Sequence, residues 1–178
     1  WVYYRIGGPA DELYVPRNEE DILCFIEAMA KKQEAFQTLG SGTNLLVRDG
    51  GIRGKVLYLG PKIKSKVKVI KSKNSQVSLR VASYFSKSKL LELAMRNSWG
   101  GLEFSAGIPG TMGGAVFMNA GTKWGSYGDV IQSVRLYVPG VGIVEKSKEE
   151  MKFKYRGHGE GLLGNGVVVL SVDLNLEK

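Results

Sequence analysis

Apolar positions along the first third of the chain change period twice, and each change marks an element. Leu13, Tyr14 and Val15 run up to Pro16 and predict a short strand that the proline ends. Asn18 then offers an N-cap, with Glu19, Glu20 and Asp21 at the positive end of a helix. Ile22, Ile26 and Met29 recur at helical spacing with Phe25 and Cys24 at the edges of the stripe, so Glu19 to Lys32 is expected to be an amphipathic helix with Cys24 on its apolar side. Phe36 to Leu39 predicts a strand leading into Gly40-Ser41-Gly42-Thr43-Asn44, and Asp49-Gly50-Gly51 predicts a turn before a further strand, Lys55 to Leu59.

Beyond Lys62 alternation takes over. Ile63 to Ile70 and Gln76 to Ala82 predict a hairpin about the polar turn Ser72-Lys73-Asn74-Ser75. Lys64, Lys66 and Lys68 fall on one face and Val67 and Val69 on the other, which reads as a solvated sheet face carrying anti-aggregation lysines. Ser86 caps a second predicted helix, Lys87 to Asn97, with Leu90, Leu91, Ala94 and Met95 as its apolar stripe. Ile131 to Val138 and Gly166 to Leu176 are β-rich and are expected to complete a second sheet. The pattern predicts an α+β protein of two directly packed α+β subdomains, residues 1–60 and 61–178.

Composition narrows the chemistry. The chain has 178 residues and a net charge of +8, and one cysteine and one histidine leave a zinc site without ligands and exclude an internal disulfide. The lysine-rich hairpin lacks the interleaved aromatics that nucleic-acid binding favours. Glycine is in excess, with 24 in the chain and nine between Gly100 and Gly128. Two glycine-rich loops stand out, Gly40 to Leu45 and Gly107 to Gly114. Each could present backbone amides to a phosphate with no Cβ in the way. Neither ends in the Gly-Lys-Ser/Thr of a P-loop, and Leu45 occupies the third glycine position of a Rossmann fingerprint. Read alone, either loop could equally be a structural turn.

The order of the motifs carries more than either loop. Tyr4-Arg5-Ile6-Gly7-Gly8-Pro9-Ala10, Leu39-Gly40-Ser41-Gly42-Thr43-Asn44-Leu45-Leu46-Val47, the run from Gly101 to Val116 with its Gly107-Ile108-Pro109-Gly110-Thr111 core, Met118-Asn119-Ala120-Gly121, and Phe153-Lys154-Tyr155-Arg156 together resemble the UDP-N-acetylenolpyruvoylglucosamine reductase family, flavoenzymes of peptidoglycan synthesis. The resemblance implies an FAD-binding fold of the PCMH, or vanillyl-alcohol-oxidase, type. It assigns Gly40, Ser41, Gly42, Thr43, Asn44 and Leu45 to the pyrophosphate. It assigns Gly107, Ile108, Pro109, Gly110, Thr111, Gly113, Gly114 and Ala115, with Asn119 and Gly121, to the flavin and ribityl side. Tyr155 and Arg156 match the family's substrate-contacting pair, and Arg156 takes the catalytic role of stabilising an enolate. The resemblance further implies NADPH as reductant, a UDP-sugar substrate, a cytoplasmic setting and no membrane or nucleic-acid partner. Arg5 could serve a salt bridge or a flavin or substrate contact. His158 and Cys24 lie outside the cofactor loops, so the FAD is expected to be noncovalent.

Two departures qualify the likeness. The family's reductases carry a further substrate domain that supplies a proton-donating serine and an assisting glutamate, and nothing after Leu176 matches them. Gly121-Thr122-Lys123-Trp124-Gly125 also replaces the family's smaller Gly-Ala-Tyr-Gly. The sequence therefore reads either as the FAD-binding portion of such a reductase or as a flavin-binding module without its own substrate chemistry, an electron carrier, a sensor or a subunit needing a partner.

Overall fold

In the computed structural model, which describes residues 2–160, 162–164 and 166–178, the apolar stripes resolve into two sheets. The first is parallel. Strand β1 (Ala10–Tyr14), helix α1 (Glu19–Lys32), β2 (Phe36–Leu39) and β3 (Ile52–Tyr58) assemble in the order β1-β3-β2. Asn18 caps α1 by accepting a hydrogen bond from the Asp21 amide at 2.9 Å, and Gln33 closes the helix in a left-handed conformation. Ile22, Ile26 and Met29 are buried. Cys24 is exposed, contrary to its expected core position. It lies about 200° around the helix from Ile22 at ~100° per residue, so its apolar character misled where its phase did not.

The second sheet is antiparallel, in the order β4-β5-β10-β8-β9. Its strands are β4 (Lys68–Lys73), β5 (Gln76–Ala82), β8 (Ile131–Val138), β9 (Gly142–Ser147) and β10 (Val168–Glu177). Helices α2 (Lys87–Arg96) and α3 (Met112–Met118), a 3-10 turn at Glu103–Ser105, the small hairpin β6 (Gly121–Thr122) and β7 (Gly125–Ser126), and the short helices α4 (Tyr127–Val130) and α5 (Lys148–Met151) complete the fold.

The expected hairpin forms, with its second strand at Gln76–Ala82 as the alternation suggested and its first strand shifted to Lys68–Lys73 from Ile63–Ile70. The turn is Asn74-Ser75, Asn74 takes the left-handed region at φ 53°, and β4 begins only at Lys68. Residues 63–67 are not strand, because Ile63 inserts into the core between the sheets and draws the chain away from β5. Lys64, Lys66 and Lys68 are exposed opposite half-buried Val67, as the alternation predicted, but edge strand β4 is exposed along its whole length and Val69 with it. Its lysines suit an edge that must not pair with another chain.

Strand β10 feeds two cores. Val168 and Leu170 pack with Ile22, Ile26, Leu57 and Tyr137 between the two sheets, while Val172, Leu174 and Leu176 pack under Leu90, Ala94 and Met112. A bulge between Val169 and Ser171 makes this possible, since one extra residue moves every later side chain to the opposite face. Burying a side chain the size of Ile26 contributes about 2 kcal/mol, so the layer shared by α1 and β10 fixes one sheet against the other. The Arg135–Glu19 ion pair at 2.7 Å ties β8 to α1 across the same boundary.

Candidate FAD site

The loop after β2 and the loop before α3 meet at the junction of the two sheets. The Thr43 hydroxyl reaches the Pro109 carbonyl at 3.5 Å. A Cβ placed on Gly40 would stand 2.6 Å from the Thr111 hydroxyl oxygen, so the two loops are in contact only because position 40 has no side chain.

Beside this contact opens a cleft of about 440 Å³. One wall is Phe36, Gln37, Thr38 and Gly40, and the other is Thr111, Gly113, Gly114 and Phe117, with Leu163, Gly164, Val167 and Val169 across the end. Of the loop residues expected to hold the cofactor, Gly40, Thr111, Gly113 and Gly114 line it directly.

The donor inventory of the loops is informative. Among the described residues, none of the amides from Gly40 to Leu45 donates a hydrogen bond within the protein. Six consecutive unengaged N–H groups in a partly buried loop form a concentrated source of positive potential. In the second loop Ile108, Met112 and Gly113 donate to the carbonyls of Ser105, Phe85 and Ser83, while the amides of Gly110, Thr111 and Gly114 have no acceptor among the described residues. Both loops therefore carry free donors, and the loops touch at Thr43, Pro109, Gly40 and Thr111.

Among the described residues the hydroxyl of buried Ser83, 1% exposed and lining the cleft, lacks a hydrogen-bond partner. Gly113 packs against it closely, since a Cβ there would come within 3.2 Å of the Ser83 Cβ. An unpartnered polar atom at a cleft wall made of glycines suits a bound polar ligand. Ser83 was not among the residues expected from sequence. It does continue the parity of Val77, Leu79 and Val81, so a serine at the buried phase was the available signal.

Asn119 and Gly121 do something other than line the cleft. Asn119, in the left-handed region at φ 40°, ends α3. Its Nδ2 donates to the Lys154 carbonyl at 2.9 Å and its Oδ1 accepts from the Gly128 amide at 2.8 Å. Both polar atoms of its side chain are thus engaged in holding neighbouring segments. Gly121 allows β6 and β7 to close, because a Cβ there would sit 2.4 Å from the Gly125 carbonyl oxygen.

Tyr155 and Arg156 form the tip of a tight turn closed by two backbone bonds between Lys154 and Gly157. Tyr155 is 89% exposed, Arg156 takes φ 56°, and the guanidinium lies 5.5 Å from the Tyr155 ring centre. Neither residue lines the cleft. His158, two residues on, packs its ring against Phe117 of the cleft wall at 5.6 Å. Arg5 makes no ion pair among the described residues. Tyr127 is wholly buried behind the second loop, and desolvation pushes its phenol up to about 12 against a smaller opposing pull from Ser105.

A two-sheet α+β frame with an amide-rich glycine cleft at its junction defines an FAD-binding protein of the PCMH type. The chain belongs to the family described as "FAD binding domain", whose model matches residues 10–148, and FAD is its cofactor. Within that family it resembles the UDP-N-acetylenolpyruvoylglucosamine reductases. It is 35% identical over 178 residues to the enzyme of Clostridioides difficile, covering 99% of this chain and 56% of that one. It is 37% identical over 173 residues to the enzyme of Clostridium tetani, covering 97% and 53%. The crystal structure of the Thermus caldophilus reductase superimposes with a TM-score of 0.75 at 30% identity, over 97% of this chain and 57% of that one. A solvent-stable cholesterol oxidase shares the fold at 12% identity, with a TM-score of 0.70 over 94% of this chain and 35% of its own. The chain spans a little over half the length of the curated relatives it matches.

No helix among the described residues is long and apolar enough to cross a membrane. No cluster of metal-ligating side chains occurs among them.

Proposed function

We propose that this chain is the FAD-holding part of an NADPH-dependent oxidoreductase of the UDP-N-acetylenolpyruvoylglucosamine reductase type, working in the cytoplasm on a cell-wall precursor. The flavin, when bound, supplies hydride transfer between the nicotinamide and the enolpyruvyl group. The chain's own residues bind and orient. The amides of Gly40 to Leu45 would hold the diphosphate, the glycines of the second loop would let the flavin lie close to α3, and Ser83 would give its free hydroxyl to a polar edge of the cofactor.

One observation carries the reading beyond cofactor binding. Helix α3 lines the cleft with Gly113, Gly114 and Phe117, and the residue that ends it, Asn119, holds the carbonyl at the base of the Tyr155-Arg156 turn. Cofactor wall and candidate substrate cation are therefore built on one rigid piece. Arg156 stays charged at any working pH and offers several donors to the carboxylate of an enolpyruvyl group or to negative charge developing beside it.

The test is turnover by two polypeptides, the 178-residue chain and the same chain joined to the remaining part of a relative such as the C. difficile enzyme. Both are expected to be yellow with FAD. Only the joined form is expected to reduce the enolpyruvyl UDP-sugar with NADPH, and changing Arg156 to Met should lower its turnover by about a hundredfold. A joined form that binds FAD and never reduces that substrate would overturn the reductase reading and leave a flavin-binding module.

A further inference from the structure

Helix α2 places a lysine where its buried stripe calls for an apolar residue. Lys87 lies three residues before Leu90 and seven before Ala94, on the same face, and is 4% exposed. Among the described residues no carboxylate pairs with it. Its position compounds the problem, because it is the first residue of α2, the end at which a helix disfavours a cation. The first turn of α2 holds Lys89 as well and no acidic residue. A buried ammonium without a carboxylate is costly, and among the described residues the Tyr127 ring, its centre 5.8 Å from Nζ, offsets only part of that cost.

The amine sits at the seam of the two cofactor loops. The Lys87 amide donates to the Gly110 carbonyl at 3.0 Å, fixing α2 to the second loop. A Cβ placed on Gly110 would lie 3.0 Å from the Thr43 hydroxyl oxygen, 3.3 Å from Lys87 Cε and 3.5 Å from Lys87 Nζ. The ammonium and a hydroxyl from the first loop thus both flank Gly110, whose amide, like that of Thr111, has no acceptor among the described residues.

Resting on the FAD reading above, we propose that Lys87 is the fixed counter-charge for the cofactor's diphosphate, a positioning residue that the cofactor completes as an ion pair. A dianion at the loop junction would supply what the fold withholds from this lysine, and the closing of that pair would favour the dinucleotide over flavins lacking a diphosphate.

Titration should report the pair. Desolvation lowers the Lys87 amine to about 8, and the other ionisable side chain facing it is Tyr127, whose ring centre is 5.8 Å away and whose phenol stays neutral below its raised value of about 12. A diphosphate favours the protonated amine, so FAD uptake above pH 8 should take up a proton.

The experiment is FAD titration, followed by flavin absorbance, of wild type, Lys87→Met and Lys87→Arg between pH 7 and 9. Wild-type affinity is expected to fall toward tenfold per unit above pH 8, and calorimetry in two buffers of different ionisation enthalpy should show proton uptake approaching one at pH 9. Lys87→Met should bind FAD roughly tenfold or more weakly at pH 7 with a flat profile, and Lys87→Arg should recover affinity while remaining flat. If Lys87→Met binds as wild type does, or the wild-type profile is already flat, the proposal falls and the FAD site stands. If wild type takes up no FAD at any pH, the cofactor reading falls, and this proposal with it. The wild-type pH profile decides the matter even if the Met variant does not fold.

Discussion

The two glycine-rich loops both use glycine for close approach, and they differ in how many amides they leave free. In the first, Gly40 to Leu45, glycine keeps side chains out of the way and leaves every amide without an internal acceptor. In the second, Gly107 to Gly114, glycine permits close packing, with Gly113 seated on Ser83 and its amide bonded to the Ser83 carbonyl at 2.7 Å. A Cβ on Gly40 or Gly42 would likewise stand 2.6 Å from the Thr111 hydroxyl oxygen or 2.7 Å from Val2 Cα, so the loops differ in their free amides and not in how closely their glycines pack. Glycine content alone therefore does not distinguish a cradle from a packing device. The count of unengaged amides does.

That contrast can be broken most severely at Gly113. Gly113→Val would drive new atoms into Ser83, and it should cost about 3 kcal/mol of stability in urea melts and abolish FAD binding with it. In the first loop a Cβ on Gly42, at φ 62°, would stand 2.7 Å from Val2 Cα, so Gly42→Ala should lower the melt as well as binding.

Next in size is a pH effect confined to the second loop, since only that loop has a buried cation behind it. The Lys87 amine, ordinarily near 10.5, is lowered to about 8 by burial, so above pH 8 the unfolded chain holds a proton that the folded one has lost. The stability of the FAD-free protein should therefore rise between pH 8 and 9.5, by about 2 kcal/mol, and Lys87→Met should remove the rise. Above pH 10 the raised phenol of Tyr127 pulls in the opposite direction, which confines the useful window. The same Met variant should be more stable than wild type at pH 7, with a higher melting midpoint and a poorer hold on FAD.

A smaller effect tests whether the loops touch as described. Gly40→Ala places a methyl 2.6 Å from the Thr111 hydroxyl oxygen and should weaken FAD by about tenfold. Thr111→Ala alone should matter less, and the double variant should recover much of the loss, a coupling readable by flavin titration. The smallest expectation is at Cys24. Exposed and remote from the cleft, it should react readily with a thiol reagent in the folded protein and leave FAD affinity unchanged.

How much of this was legible in the chain depended on whether the feature was local. Helix α1 was readable because Asn18, the acidic first turn and the Ile22-Ile26-Met29 stripe agree. Helix α3 was not, because Gly113 and Gly114 are poor helix formers. Tertiary contacts overrode that preference, with Met112, Ala115 and Val116 fully buried. The strand expected from Ile63 failed because alternation does not say which of two cores will claim an isoleucine. At the site, the motif order assigned residues to the cofactor of which four, Gly40, Thr111, Gly113 and Gly114, line one cleft. It passed over Ser83 and Phe117, whose roles depend on how distant segments meet. Ser83 and Lys87 share one overlooked signature, a polar residue at a position where its own element's periodicity asks for an apolar one.

Helix α3 has a consequence that is one of length. It has seven residues, so at ~1.5 Å per residue it spans about 10 Å from the cofactor wall to the Asn119 cap that suspends the Tyr155-Arg156 turn. It thus serves as a ruler. Adding or deleting a single residue within it would rotate the cap by ~100° and shift the Tyr155-Arg156 turn relative to the cleft even with both loops intact.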